Sequence, residues 1–149
     1  MTVAAVLKQK GAEVITVPPS ASVLEVARLI TSRRIGAVVV CDGERLAGIV
    51  SERDVVKAVA AQADAALTLT AADIMTREVT TATLRTTMDE AMAMMDAGYF
   101  RHLPVVDDGK LVGIVSVRDA VRAHIQHQEQ EVDSLKAYVF RGAQADGLR

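Results

Sequence analysis

Gly48-Ile49-Val50-Ser51-Glu52-Arg53-Asp54 returns as Gly113-Ile114-Val115-Ser116-Val117-Arg118-Asp119, 65 positions later, with only the fifth residue changed. Two copies at so long a spacing argue for paired subdomains about a pseudo-two-fold axis, since an open array needs more and shorter units. The chain has 149 residues, about one domain on length alone. A fold of this size buries roughly 68 to 70% of its unfolded surface, whereas half of it would be marginal alone. The copies are therefore expected to share a core, with a cleft between them as the place for a ligand.

Outward from the heptad, the same order of elements precedes each copy. In the first, a short strand at residues 14–17 ends at Pro18-Pro19. Val23, Val26, Ala27 and Ile30 recur at helical spacing behind a Ser22…Glu25 capping box. The apolar run 36–40 is a buried strand, Asp42-Gly43 a hairpin turn, and 46–50 the returning strand, with a helix starting at Ser51. In the second copy a strand at 79–82, a helix at 87–97, a stop at Gly98, a strand at 103–106, the Asp108-Gly109 turn, a strand at 111–115 and a helix from Ser116 follow in turn. Matching Asp42-Gly43 to Asp108-Gly109 implies a one-residue loop deletion and a register of 66 upstream of it. The fold class is α/β, of the α+β kind, as two β-α-β-β-α units with helical extensions at both ends. The expected divisions are residues 1–12, 13–62, a linker 63–75, 76–126, and a helix and tail 127–149.

Composition excludes several functions. Half the residues are apolar and 24% charged, as in a globular protein, and the formal net charge is −2. That balance supplies no basic field for nucleic acid, and with no Trp, two Phe and two Tyr there is no stacking platform for single strands. A lone cysteine, Cys41, forms no intrachain disulfide and no multi-cysteine metal site. No apolar run reaches membrane-spanning length, and the opening residues lack the pattern of a secretory signal. The expectation is a cytoplasmic protein without nucleic-acid or membrane partners.

The heptad carries chemistry of its own. A strand running into Ser51 or Ser116 presents the first turn of a helix, whose N–H groups and positive dipole end suit a phosphate. Arg53 and Arg118 can add charge to the same group. Asp54 and Asp119 would repel a phosphate, but a carboxylate accepts two hydrogen bonds and so matches a ribose diol. Ser-x-x-Asp before a helix is equally a capping box, which needs no ligand. Both readings stand, and both can hold for one residue.

These doubled heptads, with Gly98-Tyr99-Phe100-Arg101-His102-Leu103-Pro104-Val105-Val106, resemble the CBS domain, named after cystathionine β-synthase, over about residues 13–125. The resemblance implies a stand-alone tandem pair, a Bateman module, that binds an adenosine ligand such as AMP, ATP or NAD(H), with S-adenosylmethionine ranked behind them. It implies a homodimer in which four repeats form a disc. It places the family's ribose-binding Asp on Asp54 and Asp119. Further contacts fall on Thr16 and Thr81, on Ile35-Gly36-Ala37, and on Arg101-His102-Leu103, where a basic pair faces phosphates. Since Arg101-His102 lines up with Ile35-Gly36 in that register, two unequal sites are expected. One would favour a polyphosphate or dinucleotide, and the other a monophosphate or nothing.

The remaining features read as structure. Arg33 and Arg34 are a solvated helix end. His124, His127 and Glu131 have a metal-compatible spacing that surface chance explains better, so no metal is expected. Met88, Met92, Met94 and Met95 fit a core face. Cys41 has no neighbouring His to activate it, and no nucleophile, base or catalytic cofactor is indicated. Val132, Leu135 and Val139 form an apolar stripe that needs a partner, either its own repeats or a second chain, and the tail from Gly142 is expected to fray. The sequence points to a non-enzymatic sensor that signals to a partner protein, with a ligand-free scaffold as the rival reading.

Overall fold

The computed structural model describes residues 1–147, with side chains through residue 142. Thr2 caps the first helix, α1 (Val3–Lys10), by accepting the Ala5 N–H at 3.2 Å, and Gly11 closes it at φ 98°. The first copy follows as β1 (Thr16–Val17), α2 (Val23–Arg33), β2 (Ala37–Asp42), β3 (Arg45–Ser51) and α3 (Glu52–Gln62). A 3-10 turn (Ala63–Thr68) and a short α4 (Ala71–Ile74) lead to the second copy: α5 (Met88–Gly98), β4 (His102–Asp107), β5 (Lys110–Ser116) and α6 (Val117–Gly147). The last helix runs on past Gly142, where the sequence suggested fraying; residues 148 and 149 lie outside the described part. No helix of the described residues is long and apolar enough to cross a membrane.

The pairing corrects the expected register. β2 opposes β3 with Ala37 on Ser51 and Asp42 on Arg45, and β4 opposes β5 with His102 on Ser116 and Asp107 on Lys110. Every pair is 65 apart, so there is no loop deletion. Both turns have two central residues: Gly43-Glu44 puts positive φ at its first position only (65°), whereas Asp108-Gly109 puts it at both (50° and 75°). These are the backbone patterns of type II′ and type I′ hairpins, which demand glycine at different places. The displaced glycine mimicked a deletion. Arg101-His102-Leu103 consequently matches Gly36-Ala37-Val38, one step from the expected alignment.

The strand expected at 79–82 shrinks to a single parallel bridge between Ala82 and Val105. In the first copy the Val39 N–H donates to the Ile15 carbonyl at 3.2 Å. Its counterpart is Pro104, which has no N–H to give, so the second ladder is one rung shorter.

The expected shared core is instead two clusters joined by exchange. One holds Val38, Val40 and Val50 of the first copy with Val26 and Ile30 of α2, and is covered by Ala71, Ile74 and Met75 of the linker. The other holds Leu103, Val105 and Val115 with Ala91, Met88 and Met95 of α5, and is covered by Val3, Val6 and Leu7 of α1. Met92 and Met94 flank this second cluster, and Cys41 is buried, which raises its thiol pKa. Each copy's lead-in helix therefore packs on the other copy. The heptad glycines permit this: a Cβ on Gly113 would meet Leu7 Cδ1 at 2.6 Å, and one on Gly48 would meet Met75 Sδ at 2.5 Å. From Leu7 to Glu13 the chain takes three more residues than from Met75 to Glu78, and α1 uses them for a further turn that ends at Lys10.

Candidate functional site

Two clefts lie between the copies, related by the same 65-residue register. The first, about 400 Å³, takes Ser51, Glu52, Arg53 and Asp54 from the start of α3 and Glu78, Val79, Thr80, Tyr99 and Phe100 from the other copy. The second, about 750 Å³, takes Ser116, Val117 and Arg118 from the start of α6 and Glu13, Val14, Ile15, Arg34 and Ile35 from the other copy. Gly36, Ala37, Arg101 and His102 line both clefts, at the axis between them. Gly36 is small because His102 crosses there: an added Cβ would lie 2.7 Å from the imidazole Cε1.

Both heptad serines and aspartates form complete capping boxes. The Ser51 N–H and Oγ–H donate to Asp54 Oδ2 at 2.8 and 3.0 Å, and the Asp54 N–H donates to Ser51 Oγ at 3.3 Å. Ser116 and Asp119 repeat the arrangement at 2.8, 3.1 and 3.2 Å. The N–H groups of Glu52 and Val117 donate to the carbonyls of Gly36 and Arg101, each at 3.0 Å. Two of the first three N–H groups of each helix are thus already taken. The helix starts are poorer phosphate sites than free ends, so charge for an anion has to come from side chains.

The two aspartates part company beyond the cap. Asp54 is half-buried and lines the first cleft with its Oδ1 left over from the box. Asp119 is 9% exposed, and its Oδ2 also accepts from Lys10 Nζ at 2.8 Å. Burial alone would raise the Asp119 carboxyl, but the Lys10 and Ser116 hydrogen bonds and the Lys10 charge outweigh it and hold the pKa below the usual value. Lys10 belongs to the extra turn of α1, for which α4 has no counterpart. Asp119 accordingly faces a side pocket with Gln9 and Arg122 and is absent from the second cleft wall.

The walls differ in kind as well. Tyr99 and Phe100 of the first cleft are replaced by Arg34 and Ile35 in the second, Glu52 by Val117, and Thr80 by Ile15. The first cleft offers an aromatic edge and the carboxylates of Glu52, Asp54 and Glu78 beside Arg53 and Arg101. The second gathers Lys10, Arg34, Arg101 and Arg118 against Glu13. Arg34 reaches its place through a left-handed backbone (φ 53°) that ends α2, as Tyr99 (φ 57°) ends α5. The pKa of His102 is lowered, first by burial and then by Arg101 and Lys10, against the opposing pull of Glu52 and Asp119.

Of the residues singled out from sequence, Ser51, Arg53, Asp54, Ser116, Arg118, Arg101, His102, Ile35, Gly36 and Ala37 come together in these walls. Thr16 is exposed on β1, Thr81 is half-buried beside the Ala82 bridge, and Leu103 is fully buried in the second core, all three outside the walls. Glu13-Val14-Ile15, Glu78-Val79-Thr80, Tyr99, Phe100 and Lys10 were missed, and Arg34, expected as a solvated helix end, instead lines the second cleft. The matching Glu-Val pairs at 13–14 and 78–79 keep the 65 spacing and were the available signal. His127 and Glu131 form an exposed ion pair at 3.0 Å, and no group of three metal-ligating side chains occurs among the described residues.

Comparison with known proteins agrees with this architecture. The CBS domain profile matches residues 9–61 and 71–125. The mitochondrial CBS domain-containing protein CBSX3 of Arabidopsis thaliana is 36% identical over 126 residues, which is 81% of this chain and 61% of that protein; this chain thus spans about three fifths of that relative. The crystal structure of the CBS-domain protein ATU1752 of Agrobacterium tumefaciens superposes with a TM-score of 0.81 at 42% identity, covering 83% of this chain and 99% of that one. The CBS domain protein PAE2072 of Pyrobaculum aerophilum, complexed with AMP, gives 0.72 at 29% identity over 80% and 89% of the two chains. The CBS domain pair of MJ0100, in complex with 5′-methylthioadenosine and S-adenosylmethionine, gives 0.75 at 29% identity over 85% and 98%. With more than two thirds of its length matched by two successive repeats, the chain belongs to the CBS domain family.

Proposed function

We propose that this protein is a non-enzymatic, cytoplasmic adenine-nucleotide sensor, a homodimer that binds an AMP-, ATP- or NAD(H)-type ligand between its repeats and signals to a regulated partner protein. The observation that carries this reading is the first cleft. Asp54 has a carboxylate oxygen to spare for a ribose hydroxyl, Tyr99 and Phe100 give a surface for a base, and Arg53 and Arg101 stand ready for a phosphate. The adenosine ligands held by the related structures support the same chemistry. In the second cleft Lys10 occupies the matching carboxylate, so that cleft takes the anionic end of a polyphosphate through Arg34 and Arg118 or stays empty. The ligand acts by linkage: it shifts the arrangement of the copies by as much as it prefers one arrangement over another.

A ligand-free scaffold is the second reading, favoured by one observation: each capping box already accounts for its Ser and Asp. A thermal-shift panel of AMP, ADP, ATP, NAD, NADH and S-adenosylmethionine separates the two. A ligand at 100 times its Kd adds about 2.7 kcal/mol of stability, visible as a raised Tm. No shift with any member at millimolar concentration leaves the scaffold.

A further inference from the structure

Helix α6 leaves the module after Ala123, and every residue from 124 to 142 is exposed. At 1.5 Å per residue this is about 28 Å of helix without a packing surface, a state that helices of ordinary composition sustain poorly in water. Val121, Ile125, Val132, Leu135 and Val139 are 45 to 64% exposed and, with Gln128, follow a spacing of 4-3-4-3-4. That is a heptad seam with β-branched Ile125, Val132 and Val139 at the a positions and Val121, Gln128 and Leu135 at d. β-branched residues at a favour two parallel strands where Leu stands at d, the combination found here at Val132, Leu135 and Val139.

We infer that the exposed stripe of α6 is the contact surface for α6 of a second copy, in a parallel, in-register two-stranded coiled coil. The flanking charges fit this orientation. Glu131 at g faces Lys136 at e of the neighbouring helix, an opposite-charge pair, and Lys136 makes no ion pair within its own chain among the described residues. Gln128 meets its own counterpart at d, a polar pair that penalises other registers. A membrane surface fits worse, since Glu129 and Glu131 border the stripe where a lipid-bound helix carries Lys and Arg. The inference is independent of which ligand the clefts hold.

Cysteine scanning of the full chain in a Cys41→Ala background tests it. Val132→Cys and Val139→Cys should each give a disulfide-linked dimer on mild oxidation, whereas Gln130→Cys, on the outer face, should not. An antiparallel pair can bring at most one of the two seam positions against its own mate, so one positive alone, or none, overturns the arrangement; so does equal linking at Gln130. By sedimentation equilibrium Glu131→Lys should weaken the dimer at least tenfold, and Glu131→Lys with Lys136→Glu should restore it. A double variant as weak as the single one, or a parent that sediments at its 15.9 kDa chain mass, refutes the pairing.

Discussion

Lys10 Nζ lies 2.8 Å from Asp119 Oδ2, while Asp54, at the same place in the other copy, meets no cation within salt-bridge distance among the described residues. One ion pair thus makes two near-identical heptads chemically unequal, and it originates in three extra residues before the first copy.

Lys10→Ala should release Asp119 and bring the second cleft closer to the first. Asp119 is 9% exposed, so removing its cation costs more than breaking a surface pair, about 1 to 3 kcal/mol; with the Ser116 bonds retained the fold should persist at a lower Tm. Nucleotide stoichiometry by calorimetry should rise from one toward two per chain. An unchanged stoichiometry would show that something other than Lys10 closes the second site.

Acid should act on the same contact. Because the Asp119 pKa is lowered in the folded protein, its contribution is complete above the ordinary Asp value of about 3.9 and is lost as pH falls through the lower folded value. The Lys10→Ala variant should therefore show a weaker dependence of urea stability on pH below about 4 than the parent. Parallel curves would deny the contact a role.

Asp54 serves the helix and the cleft at once, and two substitutions separate these duties. Asp54→Ala keeps the Ser51 cap but removes the reciprocal half of the capping box, leaving the Ser51 N–H without its acceptor, and should cost about 1 kcal/mol of stability as well as binding. Asp54→Asn keeps an acceptor for Ser51, so it should unfold close to the parent while its nucleotide Kd rises at least tenfold. Parent-like affinity in both variants refutes the ribose contact.

His102 predicts the same direction for stability, at higher pH, and the opposite direction for binding. Its folded pKa lies below the ordinary 6.5, so it is neutral at pH 7, and protonation costs the free protein stability as pH drops below about 6.5. A phosphate nearby favours the charged form, so affinity for ATP should rise as pH goes from 7.5 to 5.5. His102→Gln should flatten that rise. Equal slopes would place the phosphates elsewhere.

Gly48→Ala and Gly113→Ala should differ although the heptads match. The three atoms nearest the new methyl at Gly113 all belong to the flexible Leu7 side chain, whereas at Gly48 it lies 2.7 Å from the Thr76 carbonyl oxygen as well as against Met75. That oxygen accepts from Ile49 N–H at 3.1 Å and cannot yield without breaking the bridge. Overpacking costs typically 1 to 3 kcal/mol, so Gly48→Ala should sit at the upper end and Gly113→Ala near or below the lower, by urea denaturation. The reverse order would contradict the described packing.

The heptads, the helix caps and the hairpin strands were legible because each is a local pattern: alternation, a glycine turn, an Asp three residues after a Ser. Ser51, Arg53 and Asp54 share one cleft wall as the heptad spacing implied, and Arg101 and His102, which the CBS resemblance implied, line the same cleft. The register was misread because Gly43 and Gly109 occupy different positions in turns of equal length, a fact of φ and not of chain length. Lys10 was invisible for another reason: its partner is 109 residues away, brought near only when α1 packs on the opposite copy. The short strand at 79–82 failed at Pro104, whose missing N–H acts on a neighbour and leaves no mark in the strand's own sequence.

The crossing of the lead-in helices has a consequence for how the chain can be divided. A fragment of residues 1–62 would carry Val3, Val6 and Leu7 with nothing to insert them into, and a fragment of residues 63–149 would hold Ala71, Ile74 and Met75 in the same condition. Each would present both a plug and an empty socket for the other. Two such pieces made separately should be poorly folded apart and recover a native-like spectrum on mixing, so that the peptide bond between them is dispensable while their company is not.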